Sequence, residues 1–129
     1  MVLTANTDEL ATLASAVPPD ADVERAVAAG YGATVVTFGR VATPSGSAWC
    51  AGGSVPGLGT SGSGDVLAGA IAGLAARGAA GPQAACWGVV LHRVAGQRLA
   101  ERVAPTGYLA REIAHELASA YAVVSSATD

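Results

Sequence analysis

An α/β fold with a strand-rich front and a helical back half is what the sequence predicts. Three observations carry the prediction. Residues 33–38 form a β-branched apolar run that leads into a hairpin signal, apolar residues keep helical spacing through the second half, and a glycine-rich loop runs directly into a helix. Of the 129 residues, 51% are hydrophobic and 13% charged, which excludes a highly charged disordered chain. A domain of this length buries roughly two-thirds of its unfolded surface, enough for one core. All seven basic residues are arginine, and the net charge is −3. No basic stripe exists to hold a nucleic acid.

Val2 and Leu3 open a short strand that runs into Thr4, Ala5 and Asn6. Thr7 is expected as an N-cap, with Asp8 and Glu9 in the first helical turn and Leu10, Leu13 and Ala14 on one face. Pro18 and Pro19 end that run. Residues 20–30 read as a second helix, with Val23 and Val27 four apart and Gly30 as its stop. The strand at 33–38 follows, and then a hairpin of 40–43 and 48–51 around Pro44-Ser45-Gly46-Ser47. After the loop of residues 52–64, a helix is expected from about 65 to 77, carrying Leu67, Ile71 and Leu74 on its larger face. Its other face is nearly bare (Ala68, Gly69, Ala72, Gly73, Ala75), which lets a neighbour approach closely although each glycine costs about 1 kcal/mol against alanine. A turn at 78–82, a long helix at 83–103 and a last helix at 108–124, with Leu109, Ile113 and Leu117 aligned, complete the chain.

The chemistry concentrates in Gly57-Leu58-Gly59-Thr60-Ser61-Gly62-Ser63-Gly64-Asp65. Glycines let the main chain approach a ligand, and the unpaired amides and dipole of the following helix make an anion site, most naturally for phosphate. The same segment also fits a plain turn capped by Asp65, worth about 1 kcal/mol. Gly57, Gly59 and Gly62 satisfy G-x-G-x-x-G, but a dinucleotide fold needs an acid roughly 20 residues on. Here no carboxylate follows Asp65 until Glu101. A Walker A loop needs lysine, which the chain lacks, and a nucleophile elbow needs glycine where Ser63 stands. What remains is Gly62-Ser63-Gly64-Asp65 at a helix start. Asp65 there can take a proton from a hydroxyl attacking a phosphoryl group.

The run Pro56-Gly57-Leu58-Gly59-Thr60-Ser61-Gly62-Ser63-Gly64-Asp65-Val66-Leu67-Ala68-Gly69 closely resembles the N-P-G-x-A-T-x-G-S-G-D-V-L-A-G signature of ADP/ATP-dependent NAD(P)H-hydrate dehydratases, members of the ribokinase-like superfamily. Three looser matches follow the family's order: Leu3-Thr4-Ala5-Asn6 with Glu9 its L-T-P-H/N segment, Val90-Leu91-His92 with Ala95-Gly96 its Y-L-H-x-x-A-G helix, and Gly107-Tyr108-Leu109-Ala110 its closing G-x-x-A helix. The resemblance implies a single partial domain over residues 1–129, the C-terminal half of a three-layer ribokinase-like α/β/α fold. It implies repair of NAD(P)H hydrate: ADP or ATP, with Mg²⁺, activates the hydroxyl of the hydrated ring, and loss of phosphate restores NADH or NADPH.

By the same resemblance Asp65 is the base. Gly62, Ser63 and Gly64 hold the transferring phosphoryl group, Thr60, Gly39 and Arg40 lie by the nucleotide, and Asn6 stands at the substrate. The family's lysine-bearing K-G-A-G-T loop is shortened here to Thr37-Phe38-Gly39-Arg40, and Val55 replaces the asparagine before Pro56-Gly57. Arg40 can substitute as a charge if its fork reaches the phosphates. Two neighbouring readings are a ribokinase-like kinase of a small alcohol and a non-catalytic half-domain that binds a nucleotide or a partner. Half a sheet leaves an unpaired edge, so a homo-oligomer or a partner chain completing the sheet is expected.

The remaining residues read as structural. His92 is expected buried and hydrogen-bonded, His115 on a solvated face beside Glu112 and Glu116, and Cys50 and Cys86 as small hydrophobes. Trp49 and Trp87 are expected to pack in the core or at an edge, and Arg93, Arg98 and Arg102 to be surface ion-pair partners. No His/Asp/Glu set has metal-ligand spacing. Without a charged and apolar leader pattern or a bilayer-length apolar stretch, a cytoplasmic chain free of membrane is expected.

Overall fold

In the computed structural model, which describes residues 1–127, four strands form one sheet in the order β1 (Val2–Thr4), β2 (Thr34–Thr37), β3 (Arg40–Ala42), β4 (Ala48–Cys50). β1 and β2 are parallel, and β2, β3 and β4 are antiparallel neighbours. The crossover from β1 to β2 carries α1 (Thr7–Ala14) and α2 (Val23–Tyr31). The period-2 alternation divides the two faces. Val35, opposite Ala42, packs with Val27 and Ala28 of α2, while Val36, opposite Val41, packs with Ile71, Ala84, Ala85 and Val89. All four β2 residues are buried, as a strand covered on both faces requires.

The second face is covered by α3 (Ser63–Ala76) and α4 (Gly81–Arg102), against which α5 (Ala110–Ala127) packs. Helices therefore sandwich the sheet, the layering of a ribokinase-like half-domain. Among the described residues no helix is long and apolar enough to cross a membrane.

Several boundaries differ from the sequence reading, each for a local reason. The N-cap of α1 is Asn6, not Thr7: its side chain accepts the Glu9 amide at 2.9 Å while Glu9 accepts the Asn6 amide at 2.9 Å, a reciprocal capping box. Asp20 accepts the Asp22 amide at 2.8 Å and closes a turn, so α2 starts at Val23 behind an Asp22 cap. That helix ends on Gly32, and Gly30 instead lies against Val17. Pro82 needs no amide partner in a first turn, so α4 begins at Gly81 inside the expected turn. α5 begins at Ala110 after the Glu112 carboxylate accepts the Leu109 amide at 2.7 Å. Leu109 is 45% exposed and does not join the fully buried Ile113.

Other side chains depart from expectation as well. Glu116, expected on a solvated face, is 6% exposed and accepts from Arg98 at 2.6 Å and Arg102 at 2.7 Å. Arg93 bonds a carbonyl, not a carboxylate. Cys50 is exposed and not a core hydrophobe, and Trp87 keeps 39% of its surface in solvent, whereas Trp49, 48% exposed on the outer strand β4, stands at an edge as expected. Cys86 is half-buried, which pushes its thiol up, and His115 is exposed as expected.

Two features leave surface of the molecule uncovered. β1 pairs only with β2, and the bare face of α3 is exposed at Gly69, Ala72 and Gly73. A side chain at Gly69 or Gly73 would meet nothing within 4 Å. The close approach that this face permits is made by no described part of the chain.

Candidate nucleotide and substrate site

The parallel strands β1 and β2 end at one cavity of about 760 Å³, where their carboxyl ends meet the N-terminus of α3. Open α/β sheets bind ligands at the carboxyl ends of their strands, where the connecting loops are free to diverge. Asn6 and Glu9 reach it from the β1 end, Phe38 and Gly39 from the β2–β3 turn, and Thr60, Gly62, Ser63, Gly64 and Asp65 from the loop into α3. Thus all but one of the sequence-predicted site residues share this cavity. The exception is Arg40, whose guanidinium is bound by Asp22 and lies 3.7 Å from Glu24. β-strand alternation explains the displacement, because Arg40 follows a two-residue turn and its side chain falls on the α2 side.

The loop into α3 is built before any ligand arrives. A short 3-10 turn, Pro56–Gly59, brings Gly57 against the Tyr108 ring with no room for a Cβ, and the Tyr108 hydroxyl donates to the Gly96 carbonyl at 3.2 Å. Leu58 seats over Gly96. Gly62 is the N-cap of α3 in the left-handed region (φ 84°), a conformation that points the next amides outward without a side-chain cap. The Ser63 amide donates to Thr60 at 3.2 Å, whereas among the described residues the Gly62, Gly64 and Asp65 amides find no protein acceptor. Those three amides, with the helix dipole behind them, are donors left free at the helix start, as an anion site requires. Asp65 is therefore not the cap. It sits in the first turn, exposed, with no hydrogen bond or ion pair among the described residues.

Beneath this cradle His92 holds Ser63. The His92 Nε2 lies 3.0 Å from the Ser63 hydroxyl and 3.1 Å from the Ser63 carbonyl. A carbonyl only accepts, so the proton sits on Nε2 and His92 donates. Burial holds the imidazole below its ordinary value of 6.5, partly offset by the Ser63 carbonyl. A donating Nε2 cannot take a proton from Ser63, so the pair is a strut and not a nucleophile-and-base dyad. The position of His92 on the cavity wall was legible only as a buried histidine; its contact spans 29 residues of sequence.

One cavity-lining side chain was not expected there. Arg93 also lines the cavity, donating from Nη1 to the Gly53 carbonyl at 2.6 Å. Arg93, Arg98 and Arg102 were all expected as surface ion-pair partners, but only Arg98 and Arg102 pair with a carboxylate, that of Glu116. Phe38, the chain's single phenylalanine, stands on the cavity's lip at 79% exposure with φ 38°. With Gly39 at φ 83° it forms a two-residue turn with both centres in the left-handed region, the type I′ geometry that Asn-Gly fills best.

Comparison with known proteins fits this geometry. The sequence profile of NAD(P)H-hydrate dehydratase matches residues 1–119. The ADP-dependent (S)-NAD(P)H-hydrate dehydratase of Xanthomonas campestris pv. campestris is 48% identical over 126 residues, which cover 90% of this chain and 43% of that protein. The bifunctional NAD(P)H-hydrate repair enzyme Nnr of Thermanaerovibrio acidaminovorans is 43% identical over 100 residues, covering 75% of this chain and 19% of that protein. The chain thus spans less than half the length of the curated relatives it matches. No solved structure matches it.

Proposed function

The chain belongs to the NAD(P)H-hydrate dehydratase family, and from that premise we propose that it carries the phosphoryl-activating part of an ADP-dependent NAD(P)H-hydrate dehydratase. The observation that supports this most is the juxtaposition, in one cavity, of three unclaimed amides at the α3 N-terminus and the unpartnered Asp65 carboxylate. Asp65 takes the proton from the hydroxyl of the hydrated nicotinamide ring as that oxygen attacks the terminal phosphoryl group of ADP, whose bond to the bridging oxygen breaks so that AMP leaves. The amides of Gly62, Gly64 and Asp65 receive the charge that develops on the phosphoryl oxygens, and they are already oriented for it. Loss of phosphate from the activated ring carbon, with a proton from the neighbouring carbon, restores the dihydronicotinamide. Ser63 shapes the cradle through His92, Thr60 and Gly39 border the nucleotide, and Asn6 contacts the substrate through its amide group, since its side-chain oxygen is spent on the α1 cap.

Mg²⁺ enters on the nucleotide phosphates, as a cation that keeps most of its waters does. Among the described residues no group of three or more His, Cys, Asp or Glu could cage a metal. The ligand-contacting surface is completed by a second copy or a partner chain that covers the free β1 edge and the bare α3 face, because an open edge and an uncovered apolar face invite pairing.

Two measurements test this reading together. Light scattering with and without ADP and Mg²⁺ is expected to show an assembly larger than the 12.5 kDa protomer that tightens with nucleotide. In that assembly, ADP-driven recovery of dihydronicotinamide absorbance from NADH hydrate is expected to fall about 10²–10⁴-fold in Asp65→Asn. Stability and ADP binding should stay close to wild type in that variant. A nucleotide-blind monomer, or full turnover by Asp65→Asn, would sink the proposal.

A further inference from the structure

We infer that Arg93 is the phosphate-binding cation of this site, replacing the charge of the shortened lysine loop and favouring nucleoside polyphosphates over the bare nucleoside. The inference rests on the functional reading above and adds to it a residue that the family signature leaves unspecified.

The arginines of the chain divide by what they touch. Arg25 and Arg40 are held by Asp22, with Glu24 near Arg40, and Arg98 and Arg102 converge on Glu116. Arg77 and Arg111 are exposed and lie outside the cavity lining. Arg93 alone among the described arginines lines the cavity, and its hydrogen-bond partner is a neutral carbonyl, that of Gly53. A guanidinium carries five N–H donors in a planar fork, so four remain for a ligand and no carboxylate neutralises the charge.

Its seat is shaped. A Cβ on Gly53 would fall 2.5 Å from Arg93 Nη2, so the guanidinium rests against a residue that has no side chain to displace it. The preceding residue on α4 is His92, whose ring props Ser63 at the start of the amide cradle. One helix therefore delivers, at consecutive positions, the strut of the cradle and a free cation beside it. Amides and guanidinium together suit an extended polyanion with two or more phosphates, whereas a neutral nucleoside has nothing to offer either.

The experiment is calorimetric titration of ADP and, separately, adenosine into the full chain and its variants, with melting temperature as the check on folding. Arg93→Gln is expected to weaken ADP about 10–100-fold, the loss of a charge-assisted hydrogen bond or two, while adenosine is unchanged. Arg77→Gln, which removes the same charge elsewhere, should leave ADP affinity as it is. If Arg93→Gln fails to fold, Arg93→Lys decides: it keeps the charge but not the fork, and an ADP-specific loss of about threefold or more supports the inference. Wild-type ADP affinity in whichever variant folds, or equal weakening of ADP and adenosine, overturns it. A wild-type chain that binds no ADP overturns the functional reading with it, so the two failures are distinguishable.

Discussion

The loop into α3 is gripped from below by the Tyr108 ring, the Gly96 groove and the His92 imidazole, whereas the β2–β3 turn that borders the same cavity is held by its own strands and by the Ala51 amide, which donates to the Gly39 carbonyl at 2.9 Å. The first presents amides, and it is fixed by contacts from α4, from Tyr108 and from Ala110 at the start of α5, which lies against Gly62. The second presents an exposed phenylalanine in a backbone region that costs side chains about 1–3 kcal/mol. The lesson is that two loops of similar glycine content differ in what tertiary packing does for them. One holds three amides free at a helix start; the other keeps its turn without a lysine, and the cation proposed in its place, Arg93, comes from α4.

The sharpest way to break this contrast is Gly57→Ala. The new methyl would occupy the Tyr108 ring, so the variant should lose about 2–3 kcal/mol by overpacking and by disturbing the Tyr108–Gly96 hydrogen bond. Urea unfolding measures it, and a wild-type midpoint would show that the loop is not gripped there.

Next comes the strut. The folded imidazole of His92 lies below 6.5, so the unfolded chain binds that proton more readily. The contribution of the neutral, buried His92 is therefore complete above 6.5 and is lost as pH falls below it. Asp22 has the opposite origin. Burial raises its carboxyl, but the Arg25 amide and the Arg40 and Arg25 charges outweigh that and hold it below 3.8. Its stabilisation is present above 3.8 and is lost only as pH falls through the lower folded value. His92→Phe should cost about 1–3 kcal/mol at pH 8 by orphaning the Ser63 groups, and should flatten the loss of stability between pH 7 and 5. An unchanged acid slope would assign that slope to other groups.

On the other loop the sign reverses. Phe38→Asn creates the Asn-Gly pair that a type I′ turn prefers, and a gain of about 1 kcal/mol is expected from thermal unfolding. A loss would mean that the Phe38 ring packs against something that holds it. Smallest is Arg40→Ala. Its ion pairs with Asp22 and Glu24 are a third exposed, so at most about 1 kcal/mol should disappear, more at low salt than at high.

Much of this was legible in the sequence, and the reason is locality. The β-branched apolar run of β2, the hairpin around Pro44 and Gly46, and the G-S-G-D turn into α3 are specified by neighbours within a few residues. Cap positions were less legible because Asn6 and Thr7, or Gly30 and Gly32, have nearly equal credentials. Only the reciprocal Glu9 bond and the Val17 contact choose between them.

By itself, then, the sequence determined the α/β order of elements, the anion-facing loop and Asp65 beside it, since each follows from backbone freedom and side-chain type at adjacent positions. Tertiary structure decided which arginine lines the cavity and what steadies the loop into α3. Arg40 and Arg93 are both arginines near a glycine, and no local pattern tells them apart. Strand alternation turns Arg40 toward Asp22, while the α4 phase puts Arg93 and His92 on the cavity wall. The Ser63–His92 and Gly53–Arg93 contacts join residues 29 and 40 positions apart. Such contacts exist only once the sheet has fixed where α4 lies, because the core at Val36, Val41, Ala84, Ala85 and Val89 sets the helix's rotation and hence what its next turn presents.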